Sequence, residues 1–169
     1  MLLTHTSGIK DNWGVMNYYD GDSDLSLGYY LEQYLNPNGN LYNQSLNFTN
    51  GEPGSNFTYS NIGAAMIGYL VEVISLIPFN EYCNQYIFEP LNMDMTSYVW
   101  QERFENAYCN GHTVDQEVIK KDIEDEAGAA GSMETTTIDY AKFLTRIMKI
   151  TAQDSDISKL MFEPNIEIK

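Results

Sequence analysis

The chain has 169 residues, enough for one domain with a sizeable core. Its apolar share of 43%, with 13% aromatic residues, is that of a globular chain and excludes wholesale disorder. A formal net charge of −15 and a pI near 4.2 make a surface that repels phosphate backbones, which argues against a nucleic-acid partner.

Taken in chain order, the first predicted helix covers Ser26 to Leu35, with Leu27, Tyr30, Leu31, Tyr34 and Leu35 on one face. Pro37-Asn38-Gly39 stops it. Asn40 to Asn56 is rich in Asn, Gly, Ser and Thr and reads as a surface loop. From Asn61 to about Leu76 the set Ile62, Ala65, Met66, Tyr69, Leu70, Val73 and Ile74 has helical spacing, and Pro78 breaks it. A second helix follows from about Asn80 to Phe88, with Phe79, Tyr82, Cys83 and Tyr86 inward. Residues Ala107 to Val118 can hold a hairpin. Thr136 and Asp139 read as a capping box opening a helix to about Ile150, with Ala141, Leu144, Ile147 and Met148 inside. Ser155 to Phe162 closes the series as a short helix. No stretch approaches the roughly 20 apolar residues of a membrane span. Thr4, His5 and Lys10 interrupt any apolar run that could serve as a signal peptide.

The most informative stretch runs from Pro53 to Thr96. Tyr59-Ser60-Asn61 stands there directly before the longest apolar-periodic helix, where polar groups can be held rigidly and still face a cleft. Taken alone, a Tyr at this place is a packing residue and an Asn is a cap. Three further runs change the weighting: Leu2-Leu3-Thr4-His5-Thr6-Ser7-Gly8, then Phe88-Glu89-Pro90-Leu91-Asn92-Met93-Asp94-Met95-Thr96, then Ala130-Gly131-Ser132-Met133-Glu134-Thr135-Thr136 with Asp139, Ala141 and Phe143. Together, from Leu2 to about Met148, they resemble the serine β-lactamase and penicillin-binding-protein superfamily, in its class C, esterase and D-aminopeptidase-like branch. Its corresponding motifs are L-L-T-H-T-S-G, Y-x-N, F-x-P-L-G-M-x-x-T and A-G-G-x-x-S-T-x-x-D-x-A-x-F. Asn92 and Ser132 stand where the family has Gly, and Thr135 where it has Ser. Asn is the next best residue at a left-handed turn, so Asn92 is a mild change.

The resemblance implies a mainly α chain: the helical subdomain of an α+β serine β-lactamase-like fold, with most of the core antiparallel sheet missing. It implies a single domain over residues 1–169 that lacks the S-x-x-K helix and the K-T-G or H-T-G strand. The expectation is therefore the middle of a larger enzyme, whose partners are a small-molecule or peptide substrate and the missing halves of its own fold. No cofactor and no metal are implied. The family's setting is periplasmic, secreted or cell-envelope. Tyr59 matches the catalytic Tyr, which manages a proton with a Lys during acyl transfer. Asn61 matches the substrate-binding Asn, whose amide can donate to a carbonyl. Three readings stay open: a serine hydrolase fragment, a noncatalytic binding module, and an interaction domain without a ligand. Apolar helix faces that have lost their partner should form a large exposed patch.

Other candidates are weaker. Ser7-Gly8-Ile9-Lys10 spells S-x-x-K, but the pair must share one helical turn, and Gly8 and the aperiodic Asp11-Asn12-Trp13-Gly14 oppose a helix. His5 reads as a hydrogen-bonded structural residue and His112 as a loop residue. Asp20, Asp22 and Asp24 imitate an EF-hand but have Leu25 and Leu31 where Gly and Glu are needed. Lys120 to Glu126 reads as a solvated charge run. Cys83 and Cys109 form no metal or redox pattern. The sequons at Asn43, Asn47 and Asn56 read as chance in an Asn-rich chain.

Overall fold

A computed structural model describes residues 1–16, 18–20, 23, 25–107, 109, 111–119, 123–125, 130–153 and 156–162. The described residues are mainly helical, and the strands form two short antiparallel pairs.

Helix α1 runs Leu27–Leu35, and Ser26 caps it by accepting from the Tyr29 amide at 3.3 Å. Tyr30, Leu31 and Tyr34 are buried on the predicted face. Asn40 to Asn56 is less of a surface loop than its composition suggests. It contains a one-turn helix, α2 (Gln44–Asn47), whose cap Asn43 accepts from the Ser45 and Leu46 amides. Asn47 is fully buried, because every polar atom of its side chain is used. Its amide donates to the carbonyls of Tyr34 and Leu41, both at 2.9 Å, and its Oδ1 accepts from Asn12 Nδ2 at 2.9 Å. Tyr34 extends this network: its hydroxyl accepts from the Asn12 amide at 2.7 Å and donates to the Lys10 carbonyl at 2.8 Å. Burial pushes the Tyr34 phenol up to about 12. The network pins residues 10–12 against α1 and α2.

Helix α3 runs Asn61–Ser75. Ile62 and Ala65 are buried against α1, with Met66 and Tyr69 packing on the same cluster. Gly28 permits this approach, since a Cβ there would stand 2.5 Å from the Tyr69 ring. The C-terminal half is less covered. Leu70, Val73 and Ile74 belong to the same apolar set and are exposed, Ile74 at 82%. Periodicity reports that a face is apolar; it does not report whether anything covers it. Leu144 and Met148, later in the chain, are exposed as well.

Leu76 ends α3 in the left-handed region, at φ +59°, and is 87% exposed. A left-handed Leu crowds its own Cβ, and this side chain buries little in return. Leu76→Gly is expected to stabilise the fold by about 0.5–1 kcal/mol. A thermal melt should show a rise of about 1–4 °C.

Beyond Pro78 the chain runs through α4 (Phe79–Cys83), a π turn (Asn84–Phe88) and a 3₁₀ turn (Glu89–Leu91). The π turn inserts a residue into the helical repeat. The inward position after Cys83 therefore falls on Phe88, and Tyr86, expected inside, is exposed. Cys83, Phe88 and Met93 form a second core cluster with Phe79, Ile87, Tyr98, Met133 and Phe143 around it. Burial raises the Cys83 thiol to about 11, and burial together with that neighbouring thiol raises the Tyr98 phenol to about 12. Cys83 is a free core thiol, and Cys109 is free and exposed. Asn92 adopts φ +53°, the left-handed geometry expected where the family carries Gly. Ser132, at the other Gly position, has φ +57°.

Helix α5 runs Thr137–Thr151. Thr136 caps it by accepting from the Asp139 amide at 3.2 Å. The Asp139 carboxylate does not turn back to close the capping box. It reaches across to the end of the Phe88–Thr96 run, accepting from the Met95 amide at 2.7 Å and the Thr96 hydroxyl at 3.2 Å. Lys142 pairs with its other oxygen at 2.8 Å and also donates to the Asn92 carbonyl. Burial opposes the charge on Asp139, but Lys142, the Met95 amide and the Thr96 hydroxyl outweigh it and hold its pKa below the ordinary value. Ala141, Leu144 and Met148, predicted inside, are exposed.

The hairpin is present as β2 (Gly111–His112) and β3 (Val118–Ile119), so His112 lies on a strand and not in a loop. Strands β1 (Tyr18–Asp20) and β4 (Ile123–Asp125) pair antiparallel, which turns part of the Lys120–Glu126 charge run into a strand. A last helix, α6, runs Asp156–Phe162. Asp22 and Asp24 of the EF-hand-like run lie outside the described residues. Among the described residues no single helix is long and apolar enough to cross a membrane.

Candidate active site

The N-terminus of α3 brings the sequence-predicted pair together. Four backbone N–H groups at a helix start have no partner within the helix, and something must satisfy them. Here each has a side-chain acceptor. The Ser60 amide donates to His5 Nδ1 at 3.2 Å. The Asn61 and Ile62 amides donate to the two oxygens of Asp11, at 3.0 and 3.2 Å. The Gly63 amide donates to Ser60 Oγ at 2.9 Å, and that hydroxyl donates onward to Asp11 at 3.2 Å. Ser60 is accordingly buried.

Onto this fixed start the chain mounts Tyr59 and Asn61. The Tyr59 hydroxyl donates to Asn61 Oδ1 at 3.1 Å. Asn61 Nδ2 donates to Asp11 at 2.8 Å, which leaves one of its two N–H bonds for another acceptor. The Tyr59 ring is 58% exposed and leans on His5, ring centroids 4.6 Å apart. It is not buried against Leu70 or Val73. The phenol is therefore held at one end by a tilted ring contact and at the other by a hydrogen bond, with a face open to solvent.

His5 is the hydrogen-bonded structural residue expected. Its Nδ1 accepts, so the ring carries its proton on Nε2. The Thr58 amide donates to the His5 carbonyl at 2.7 Å and the Gly54 amide to the Thr6 carbonyl at 2.6 Å. The Leu2–Gly8 turn is thus the seat of the Tyr59–Asn61 segment. The other two runs are joined in the same way, by Asp139 and Thr96, and by the Ser97–Glu134 bridge.

Ser7 and Lys10 are not brought together. Gly8 lies at φ +84°, Ser7 Oγ accepts from the Ile9 amide at 3.3 Å, and Lys10 Nζ donates to the Ser45 carbonyl at 2.8 Å. The three sequons also differ in their surroundings: Asn47 is buried and fully bonded, Asn43 is a helix cap, and Asn56 is exposed. Asp11 is the residue that sequence reasoning missed. It precedes its partners by about fifty positions and belongs to no local pattern.

The family model described as Beta-lactamase matches residues 1–165. No curated protein matches the chain. Among solved structures the chain is similar to the penicillin binding protein from Bacillus halodurans, at 21% identity and TM-score 0.70, over 99% of this chain and 51% of that one. It is similar to the D-amino acid amidase from Ochrobactrum anthropi SV3, at 21% identity and TM-score 0.66, over 94% of this chain and 46% of that one. It is also similar to the Beta-Lactamase/D-Alanine Carboxypeptidase from Pseudomonas syringae, at 19% identity and TM-score 0.66, over 94% and 40%. At these identities the likeness establishes the fold. The chain spans about half or less of the length of each of the three.

Proposed function

The chain belongs to the Beta-lactamase family, and from that premise we propose that it is the helical part of a serine hydrolase working through an acyl-enzyme on β-lactams, D-amino peptides or small esters. The observation that carries this reading is the Tyr59–Asn61 pair, hydrogen-bonded and partly open at a rigid helix start. In acyl transfer a Ser attacks the carbonyl carbon, and a proton must leave its hydroxyl and reach the departing atom. Tyr59 is the relay. A neutral phenol is a weak base near pH 7, and a neighbouring ammonium makes the phenolate easier to form. Asn61 donates its remaining N–H to the substrate carbonyl.

Ser7 is not the nucleophile in this reading, because Lys10 is engaged elsewhere. The S-x-x-K helix and the K-T-G or H-T-G strand come from outside these 169 residues, and the isolated chain is inactive. It is expected to hydrolyse neither a chromogenic β-lactam nor an activated ester above background. Labelling of Ser7 by a fluorescent penicillin, abolished in Ser7→Ala, would overturn that expectation. A second reading, a noncatalytic binding module, draws on the same separation of Ser7 from Lys10. An S-x-x-K encoded upstream in the same reading frame decides against it.

A further inference from the structure

We propose that Asp11 is a positioning residue that sets the orientation of the Asn61 amide and, through it, of the Tyr59 hydroxyl. The inference rests on the reading of Tyr59 and Asn61 as the working pair. It starts from a feature that capping alone does not explain. One carboxylate would cap α3 by binding two backbone amides, and Asp11 does so at 3.0 and 3.2 Å. Yet its shortest bond, 2.8 Å, goes to the Asn61 side chain. An Asn amide has two ends of nearly equal shape and opposite hydrogen-bonding sense. A carboxylate accepts and cannot donate, so Asp11 selects the rotamer with Nδ2 toward itself. Oδ1 is then turned to the Tyr59 hydroxyl, which must donate to it. With the amide flipped, Tyr59 would face a donor and its proton would point away.

Asp11 can hold this setting because its own place is overdetermined. Residues Lys10 and Asn12 on either side are tied to Tyr34 through its hydroxyl, and Asn12 is tied to the buried Asn47. Ser60 Oγ adds a further donor to the carboxylate at 3.2 Å.

The test has two arms. In the 169-residue chain, NMR reads the Asn61 side-chain amide in wild type and Asp11→Ala. Slow exchange and a Tyr59–Asn61 cross-relaxation contact are expected in wild type. Both should be lost in the variant, while the α5 amide spectrum stays unchanged. In a full-length parent carrying S-x-x-K, Asp11→Ala is expected to lower kcat by about 10-fold or more, with a smaller change in KM. The decisive comparison is made in an Asn61→Ala background. There Asp11→Ala should lower kcat no further, because the two residues act as one unit. Asp11→Asn, which keeps an oxygen for the backbone amides, should restore the melting temperature more fully than kcat. An equal kcat loss in both backgrounds would overturn the proposal, and so would an Asn61 amide unchanged in Asp11→Ala. Wild-type turnover in Tyr59→Phe, with the NMR result intact, would instead sink the catalytic reading and leave the orientation of Asn61 standing.

Discussion

In a full-length parent that carries the S-x-x-K and K-T-G or H-T-G elements, Tyr59→Phe is expected to lower turnover by about 10²-fold or more. The substitution keeps the ring that rests against His5 and removes the hydroxyl that donates to Asn61. Its effect on folding should therefore be small, because the hydroxyl sits on a half-exposed ring. A loss confined to kcat separates proton transfer from substrate binding. Asn61→Ala should differ in kind. It removes the amide that would meet the substrate, together with the acceptor that orients Tyr59, so KM should rise while kcat falls. Steady-state kinetics on the two variants, with melting curves alongside, check both statements. Wild-type turnover in Tyr59→Phe would show that the role had been assigned to the wrong residue.

Asp139→Ala is expected to be the most destabilising of the single changes considered, by about 2–4 kcal/mol. Asp139 is 3% exposed, and three donors from two segments converge on it. Truncation leaves the Met95 amide without its acceptor and Lys142 without its counter-ion, and the Thr96 hydroxyl keeps its bond to Thr135 alone. For a chain of this size a melt should fall by roughly 5–15 °C. The pH dependence gives a second readout. The folded pKa of Asp139 lies below its unfolded value, so the folded state favours the charged form. Its contribution is fully present above the unfolded pKa of about 4, and it is lost as pH falls through the depressed folded value. The difference between wild type and Asp139→Ala should therefore shrink in acid. A difference that stays constant down to pH 2 would show that the carboxylate charge plays no part.

Local patterns carried most of the fold. Thr136 was readable as a cap because a hydroxyl before an apolar-periodic run has one common use. The Tyr59–Asn61 pair was readable from its place before Ile62 and from the motifs around it. Asn92 could be assigned a left-handed turn because Gly and Asn share that tolerance. What stayed hidden depends on contacts across the chain. Asn47 looked like loop composition, but Asn12, Tyr34 and Leu41 make it a buried tie, and only the fold brings them together. Tyr86 was misplaced because a π turn leaves no composition signal. The exposure of Leu70, Val73 and Ile74 is likewise not legible residue by residue, because an apolar stripe does not reveal what covers it.

The closed start of α3 bears on how this family member could change its preferences. A helix N-terminus with free amides would bind an anion through the backbone, and among the substitutions only proline removes a backbone N–H. Here Ser60, Asn61, Ile62 and Gly63 already spend their amides on His5, Asp11 and Ser60. Whatever is recognised beside Tyr59 falls to other groups, the Tyr59 and Asn61 side chains first among them. Each of those can be exchanged by a single codon change, while the hydrogen-bonded frame beneath them stays in place. The frame and the surface it carries meet at His5, against which the Tyr59 ring rests, and at Asp11, which binds the Asn61 side chain; a change of side chain that spares these two contacts need not disturb the fold.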